Sequence, residues 1–361
     1  MENKQRIAGR QFAILVFFFT VGTSIILAPS ITTAEAKQSA WISSAIAMGI
    51  GCLLVWMYNT LGGKFPGQTI NEYSEIVLGK WLGKLISLYF LLNLSVLSAL
   101  VLRDIGDFVT IQLMPETPIQ SIIILFLIIT VMGARMGIET IGRTSEIVLP
   151  WFLFLFIIFI ILISPKIDVK HLQPLLGIDI KSIIRGAMQL LFFPYLELVL
   201  LLIVFPHVNS VKSAKKGFMI GVLLGSTLLL TVTVMSILVL GASDTSKHFF
   251  PSYVMAKRIN IAGFLQRIEV IMAIIWFFSI FYKLVLLFYS SAISLSQLLK
   301  LKDYRPLTYP MAMILFVLSM VISPNSVQNL IYFRFIGFPY NLTFGFLIPF
   351  VLLVMAKIRK F

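Results

Sequence analysis

Long apolar runs alternate with short polar segments along the chain, and this pattern predicts ten membrane-spanning helices. A run of about 20 apolar residues is long enough to cross a hydrocarbon core of about 30 Å. The predicted spans cover residues 11–33, 39–60, 84–110, 119–134, 145–164, 182–204, 216–241, 264–298, 307–323 and 336–356. The eighth is too long for a simple crossing, so we expect it to tilt or to project from the bilayer.

The segment between the second and third spans has a different pattern. Its sequence, GQTINEYSEIVLGKWLGK, mixes apolar with polar residues, which is typical of an amphipathic helix at the membrane surface. Lys and Arg are about twice as frequent in the loops that face inside when the N-terminus is inside. We therefore expect both termini on the cytoplasmic side.

Composition supports this class of protein. Of the 361 residues, 59% are hydrophobic and 12% are charged, with a mean hydropathy of +0.98, whereas soluble domains carry about 25% charged residues. The net charge of +14 fits basic loops beside a membrane better than a nucleic-acid partner. The single cysteine, Cys52, excludes a disulfide within the chain. The first apolar run has no signal-peptide cleavage site before a soluble domain, so we expect it to be retained.

Two of the predicted spans are interrupted. The first contains VGTSIILAP and the sixth contains LLFFPYLELVL. Because the two are five spans apart, the second set of five helices must have the opposite topology to the first. Interrupted helices at matching places in inverted halves indicate a binding site near the bilayer midplane. The halves are predicted at residues 11–164 and 182–323, with a further helix within or beyond the second half at 336–356.

The chemistry of the first interruption suits an anion. Pro29 has no amide proton and clashes with the carbonyl of Ile25, while Gly22 permits backbone angles that other residues avoid. Amides of Thr23, Ser24 and Ile25, at the start of the resumed helix, would point at a carboxylate. The alternative is a proline kink whose freed backbone groups are bonded by the hydroxyls of Thr23 and Ser24.

Two ionisable residues lie deep in predicted spans, where charge is costly and indicates function. Glu197 follows the second interruption and would bind a ligand's ammonium group or a proton; alternatively, it is a structural acid bonded to backbone amides. Lys283 lies near the centre of the eighth span. It would neutralise Glu197 or take the place of a bound cation such as sodium, unless it reaches water at the interface.

Other charged residues are candidates for gating or charge pairing. Arg103 and Asp107 are four residues apart, with Asp104 beside them, toward the outer end of the third span. This spacing predicts an ion pair, more structural than ligand-binding. Glu269 follows Arg267 at the outer start of the eighth span, where we expect an interfacial or gating pair.

Aromatic and amide side chains complete the set of candidates. Tyr89 and Asn93 share one face of the third span and would look into a central cavity. Tyr195 and Trp276 would wall that cavity. Packing against lipid or within the core is the alternative for each aromatic residue.

No pattern indicates catalysis. The three histidines are scattered without metal-ligand spacing, and no P-loop or dinucleotide fingerprint is present. We therefore expect no metal, no cofactor and no enzymatic activity.

Several stretches, in their order and spacing, make the chain resemble a known family. They are IAGRQFAILV, VGTSIILAPS, AKQSAWIS, GKWLGKLISLYF, ETPIQSIIIL, LQPLLGIDI, FPYLELVLLLIVFP and QRIEVIMAIIW. The chain is similar to the spore germination permease family, the B subunits of nutrient germinant receptors, within the amino acid–polyamine–organocation transporter superfamily. The resemblance implies an all-α integral membrane protein of ten helices with a LeuT-like 5+5 inverted repeat and broken helices 1 and 6.

The resemblance also implies a function. Such a subunit binds a small nutrient germinant, most simply an amino acid, and acts with an A-type subunit and a C-type lipoprotein subunit in the spore's inner membrane. By position, Gly22 to Ile25 correspond to the unwound segment that holds a substrate's carboxylate, and Tyr195 and Glu197 to the broken sixth helix. Transporters often read Gly-Ser-Gly where this chain has Gly22-Thr23-Ser24, so the second glycine is missing.

Three functions remain open on the sequence. The first is a receptor that binds a nutrient and signals to partner subunits. The second is a proton-coupled amino acid or polyamine permease that uses Glu197. The third is a structural scaffold, against which the two broken helices argue.

Overall fold

A computed structural model describes residues 6–173, 179–258, 268–322 and 337–360, with the backbone alone at 337 and 338. The described residues are almost entirely helical. The helices are α1 (Gly9–Val21), α2 (Ser24–Ala36), α3 (Ala40–Lys64), α4 (Ile70–Leu78), α5 (Lys80–Phe108), α6 (Ile119–Met136), α7 (Ile138–Ile163), α8 (Ile180–Leu190), α9 (Leu201–Val204), α10 (Val211–Leu240), α11 (Ala242–Lys247), α12 (Pro251–Lys257), α13 (Glu269–Leu298), α14 (Thr308–Val321), α15 (Gly337–Leu342) and α16 (Ile348–Ile358).

Eight helical segments in the described ranges are long and apolar enough to cross a membrane. One of them, Ser24–Lys64, contains both α2 and α3 and bends at a short 3-10 turn. Two further apolar helices are shorter, Gly9–Val21 and Arg305–Val321. Apolar side chains such as Trp81 and Ile147 face outward, as they do where lipid replaces water. The chain is thus a multi-pass membrane protein, while the count of ten crossings stays a prediction.

Helix α10 is in close contact with α1 through a row of glycines that the sequence analysis overlooked. Gly217, Gly221 and Gly225 are four residues apart. A Cβ at Gly221 would collide with the carbonyl oxygen of Ala13, and one at Gly217 would lie 2.5 Å from that of Gly9. Small residues at this spacing let membrane helices approach closely. The GxxxG spacing was a readable signal for this contact.

The predicted surface helix is shorter than its sequence pattern suggested. It is α4 alone, because Gly79 adopts φ +86° and separates it from α5, which begins at Lys80. Thr69 caps α4 and exchanges bonds with Glu72. The GKWLGK half of the stretch therefore belongs to the junction and the start of α5.

Four polar side chains join α4 to the end of α13, and we call them the α4–α13 clasp. Nδ2 of Asn71 donates to Oγ of Ser294 at 2.9 Å and to Oε1 of Gln297 at 3.1 Å. The hydroxyl of Thr69 donates to the same Gln297 oxygen at 3.0 Å. The clasp ties a short surface helix to the 30-residue helix α13.

Helix α13 is a continuous helix of 30 residues through the centre of the molecule. Trp276 near its start packs on Phe108 at the end of α5, with ring centroids 4.4 Å apart. Ser294 near its end bonds Asn71, which lies beside Ser87 near the start of α5. The two helices therefore run antiparallel along most of their length.

Candidate functional site

The first break in the helices lies at Gly22 and Thr23. Helix α1 ends where the Gly22 amide donates to the Phe18 carbonyl at 2.8 Å, and Gly22 then leaves the helical region with φ 12° and ψ −118°. Helix α2 starts at Ser24, with Thr23 as its N-cap residue. The first amides of a helix have no acceptor within that helix. The first turn of α2 therefore places such amides next to the break. A break in the first span is thus confirmed at Gly22 and Thr23, whereas Ser24 and Ile25, which were expected to be unwound, already belong to the first turn of α2.

Pro29 is not part of the break, which corrects our prediction. It lies inside α2, and the carbonyl it leaves without a helical donor, that of Ile25, accepts a hydrogen bond from Oγ of Ser252 at 2.7 Å. A donor on α12 thus allows the helix to continue through the proline. The sequence around residue 29 could not show this partner, which comes from a helix far along the chain.

The hydroxyls at the break do not make the bonds that a repaired kink would need. Within the same two helices, Thr20 donates to the carbonyl of Val16 and Thr32 to that of Ala28. Oγ1 of Thr23 and Oγ of Ser24 are fully buried and have no hydrogen-bond partner among the described residues. The simple kink is therefore the weaker of the two interpretations.

Lys283 packs directly on the first break. A Cβ at Gly22 would lie 2.6 Å from Cδ of Lys283, so only glycine leaves room for the lysine side chain. Oγ of Ser279, one turn earlier in α13, donates to the Trp276 carbonyl at 2.9 Å and lies 3.3 Å from the Gly22 carbonyl. The middle of α13 is thus held against the break.

The second break follows α8. Phe193 is extended, with φ −146° and ψ 108°, and interrupts the helix directly before Pro194. Helix geometry resumes as a 3-10 turn that carries Glu197. From α15, Nδ2 of Asn341 lies 3.5 Å from the Phe192 carbonyl. This break is where the sequence predicted it.

Glu197 and Lys283 form an ion pair between the two breaks. Nζ of Lys283 lies 2.7 Å from Oε2 of Glu197, and the side chains are 1% and 2% exposed. The ammonium group also lies 4.2 Å from the ring centre of Phe193 and 5.2 Å from that of Phe19, within reach of cation–π attraction. Among the roles considered for Lys283, the structure shows the ion pair with Glu197.

The predicted pair on α5 is also present. Nε of Arg103 lies 2.9 Å from Oδ1 of Asp107. Asp104 is 2% exposed and lies in the electrostatic range of Lys283 and Glu197. The sequence indicates Asp104 only as a neighbour of the pair, because its depth beside a lysine on another helix has no local signal.

Tyr195 and Tyr89, the aromatic candidates for the cavity, pack against other helices. The Tyr195 ring covers Gly51 of α3 and leaves no room for a Cβ there. Tyr89 packs on Tyr340 and Phe344, and Asn93 lies near the hydroxyls of Tyr89 and Tyr340. Tyr89 and Asn93 therefore face the last helical segment, and their role in ligand binding stays a prediction.

The remaining candidates lie away from this centre. Glu269 is the first residue of α13, while its expected partner Arg267 is outside the described residues. Trp276 packs on Phe108, as reported above. Within the described ranges, no three His, Cys, Asp or Glu side chains are grouped as metal ligands.

Solved structures identify the fold. MhsT in complex with L-phenylalanine is 15% identical, with a TM-score of 0.69 over 98% of this chain and 99% of that chain. Mhp1, a nucleobase–cation symport-1 family transporter, is 12% identical, with a TM-score of 0.62 over 98% of this chain and 94% of that chain. The fold is thus the LeuT-like one of two inverted halves, with its first and sixth helices broken.

Sequence relatives identify the family. "Spore germination protein KB" of Bacillus subtilis (strain 168) is 28% identical over 99% of this chain and 97% of its own length. "Spore germination protein YndE" of the same organism is 25% identical over 98% and 97%. The family profile described as "Spore germination protein" matches residues 6–327. The chain belongs to this spore germination protein family.

Proposed function

We propose that this chain is the nutrient-binding membrane subunit of a spore germinant receptor, with its ligand site between the two helix breaks. One observation carries the location: the buried pair of Glu197 and Lys283 joins the two breaks at the middle of α13. Charges this deep in a membrane protein are costly and mark functional sites. Family membership supplies the link to germination.

An amino acid is the ligand class that the site supports best. The first amides of a helix have no acceptor within it, so those at the start of α2 would donate to a carboxylate, and charged side chains nearby suit an ammonium group. The structural neighbour MhsT is described in complex with L-phenylalanine, which supports the same class on the same fold. Ligand binding would change the packing of α13 on the breaks, and this change would be the signal.

The rest of the proposal follows the family resemblance. The subunit acts with A-type and C-type germinant receptor subunits in the inner membrane of the spore. The excess of Lys and Arg in alternate loops favours both termini on the core side of that membrane.

The test is germination of spores whose receptor contains the Glu197→Gln variant. We expect the nutrient response to be lost while the protein stays in the membrane, as measured by immunoblot of the membrane fraction. The control is Glu139→Gln, which removes an exposed carboxylate paired with Arg143 and should leave germination unchanged. A normal nutrient response with Glu197→Gln would remove Glu197 from the site.

A proton-coupled permease is the second candidate, because a buried acid in a transporter fold can also carry protons. It is tested with the purified protein in liposomes under a pH gradient. Uptake of a labelled amino acid that depends on the gradient and on Glu197 would favour the permease. Binding without uptake would favour the receptor.

A further inference from the structure

Asp104 is a buried carboxylate whose partners do not account for its charge. Its side chain is 2% exposed, and Oδ1 has no hydrogen-bond partner in the described part of the chain. An ionised carboxylate without compensation in such a place costs several kcal/mol. Its position requires a cation or a proton.

Helix geometry directs Asp104 toward the site. Phe108, one turn later on the same face of α5, packs on Trp276 of α13, and residues four apart on a helix point in the same direction. Because α5 and α13 are antiparallel, Asp104 faces the turn of α13 between Trp276 and Lys283. It lies within electrostatic range of both Lys283 and Glu197.

Among the residues that the structure describes, the charges of this region do not balance when all groups are ionised. Two carboxylates have a cation in direct contact: Glu197 has Lys283 and Asp107 has Arg103. Asp104 is the third carboxylate that the described residues place here, and it brings one excess negative charge. A ligand that carries one ammonium group would balance it.

Other polar atoms at the first break also lack partners among the residues that the structure describes. They are Oγ1 of Thr23 and Oγ of Ser24, both in buried side chains. Ser279 of α13 lies 3.3 Å from the Gly22 carbonyl, so α13 passes beside these hydroxyls. Hydroxyl groups can donate to the carboxylate of a small zwitterion or accept from its ammonium group.

We propose that Asp104 binds the ammonium group of the ligand, with the ligand's carboxylate at the first turn of α2. Lys283 neutralises the carboxylate of Glu197. Glu197 therefore positions Lys283 and does not bind the ammonium group, which was one of the roles that the sequence suggested for it. The inference rests on the proposed function and specifies its ligand as a small primary-amine zwitterion.

The experiment uses the full-length protein in lipid nanodiscs and measures thermal unfolding with each of the twenty common L-amino acids, their N-acetyl forms, and methylammonium. We expect the wild type to be stabilised by at least one free amino acid and not by its N-acetyl form. Asp104→Asn should weaken that binding about tenfold or more, as expected when a charge-assisted hydrogen bond is lost. Glu116→Gln, in an exposed loop, is the control and should bind as the wild type does.

Each other result has a distinct meaning. Equal binding of free and N-acetyl forms, or unchanged binding by Asp104→Asn, overturns the role of Asp104 and leaves the proposed ligand site intact. Stabilisation by methylammonium alone, lost in Asp104→Asn, supports Asp104 and overturns the amino-acid ligand. If no probe stabilises the wild type, both fail. Should Asp104→Asn not fold, Asp104→Glu and the wild-type comparison of free with N-acetyl forms decide the question.

Discussion

Nζ of Lys283 lies 2.7 Å from Oε2 of Glu197, and this contact joins the central helix α13 to the second break of the fold. Because Asp104 is also within electrostatic range of both residues, the lysine has two carboxylates to neutralise. The two members of the ion pair therefore contribute unequally to stability.

We predict that Lys283→Met destabilises the protein more than Glu197→Gln does. Removing the lysine leaves two buried carboxylates that repel each other, at a cost of about 3–5 kcal/mol. Removing Glu197 leaves the lysine with Asp104 as its partner. The free energy of unfolding, measured by denaturant titration in micelles, gives the order. Arg143→Met, which breaks the exposed pair with Glu139, should cost less than about 1 kcal/mol. If Lys283→Met and Glu197→Gln lower the free energy of unfolding equally, Lys283 does not neutralise both Glu197 and Asp104.

Gly22→Ala should disrupt the packing of Lys283 on the first break. The new methyl group would overlap Cδ of Lys283, which lies 2.6 Å from its position, so the lysine must move away from Glu197. We expect a loss of about 1–3 kcal/mol, as for overpacking in a core. Gly49→Ala is the matched control, since a Cβ at Gly49 has no neighbour within 4 Å among the described residues. A variant at Gly22 as stable as that control would show that the lysine adjusts freely.

Ser252→Ala should cost about 1–3 kcal/mol, because the Ile25 carbonyl is then buried without a donor. Pro29→Ala in the same chain should recover most of this loss, since alanine supplies the helical N–H that proline lacks. A double-mutant cycle on unfolding free energies measures this coupling. Additive effects would mean that the Ile25 carbonyl finds another donor.

Gly221→Val should weaken the contact between α1 and α10. A Cβ there would collide with the Ala13 carbonyl oxygen, so the two helices must separate. We expect a clear loss in thermal stability of the purified protein, with Gly49→Val close to the wild type. If both variants unfold at the same temperature, the row of glycines does not set this distance.

Local sequence signals explain which parts of the site could be predicted. Gly22 and Pro194 mark the two breaks because the backbone freedom of glycine and the missing amide proton of proline act at or next to the residue itself. Pro29 carries the same signal and was misleading, because the donor that repairs it, Ser252, comes from a distant helix. A helix break is thus predictable from the residues around it, whereas a hydrogen bond from a distant helix that keeps the helix continuous is not.

Pairing between helices was only partly predictable. The depth of Glu197 and Lys283 indicated that each needs a partner, and their contact was one of the alternatives considered. Periodicity placed Tyr89 and Asn93 on one face of a helix without identifying what that face meets, which is Tyr340 and Phe344. Asp104 had a neighbouring Arg103 in sequence, which concealed its relation to Lys283.

Because α13 is continuous and the α4–α13 clasp holds its end, a tilt of this helix at the ion pair would be transmitted to α4. From Lys283 to Gln297 there are about 21 Å of unbroken helix, so a tilt of about 5° at the lysine displaces the far end by about 2 Å. Such a displacement exceeds the tolerance of the hydrogen bonds that Gln297 makes with Thr69 and Asn71. A tilt of α13 at the buried ion pair would therefore strain the bonds that hold α4, at a distance of about four turns from the site.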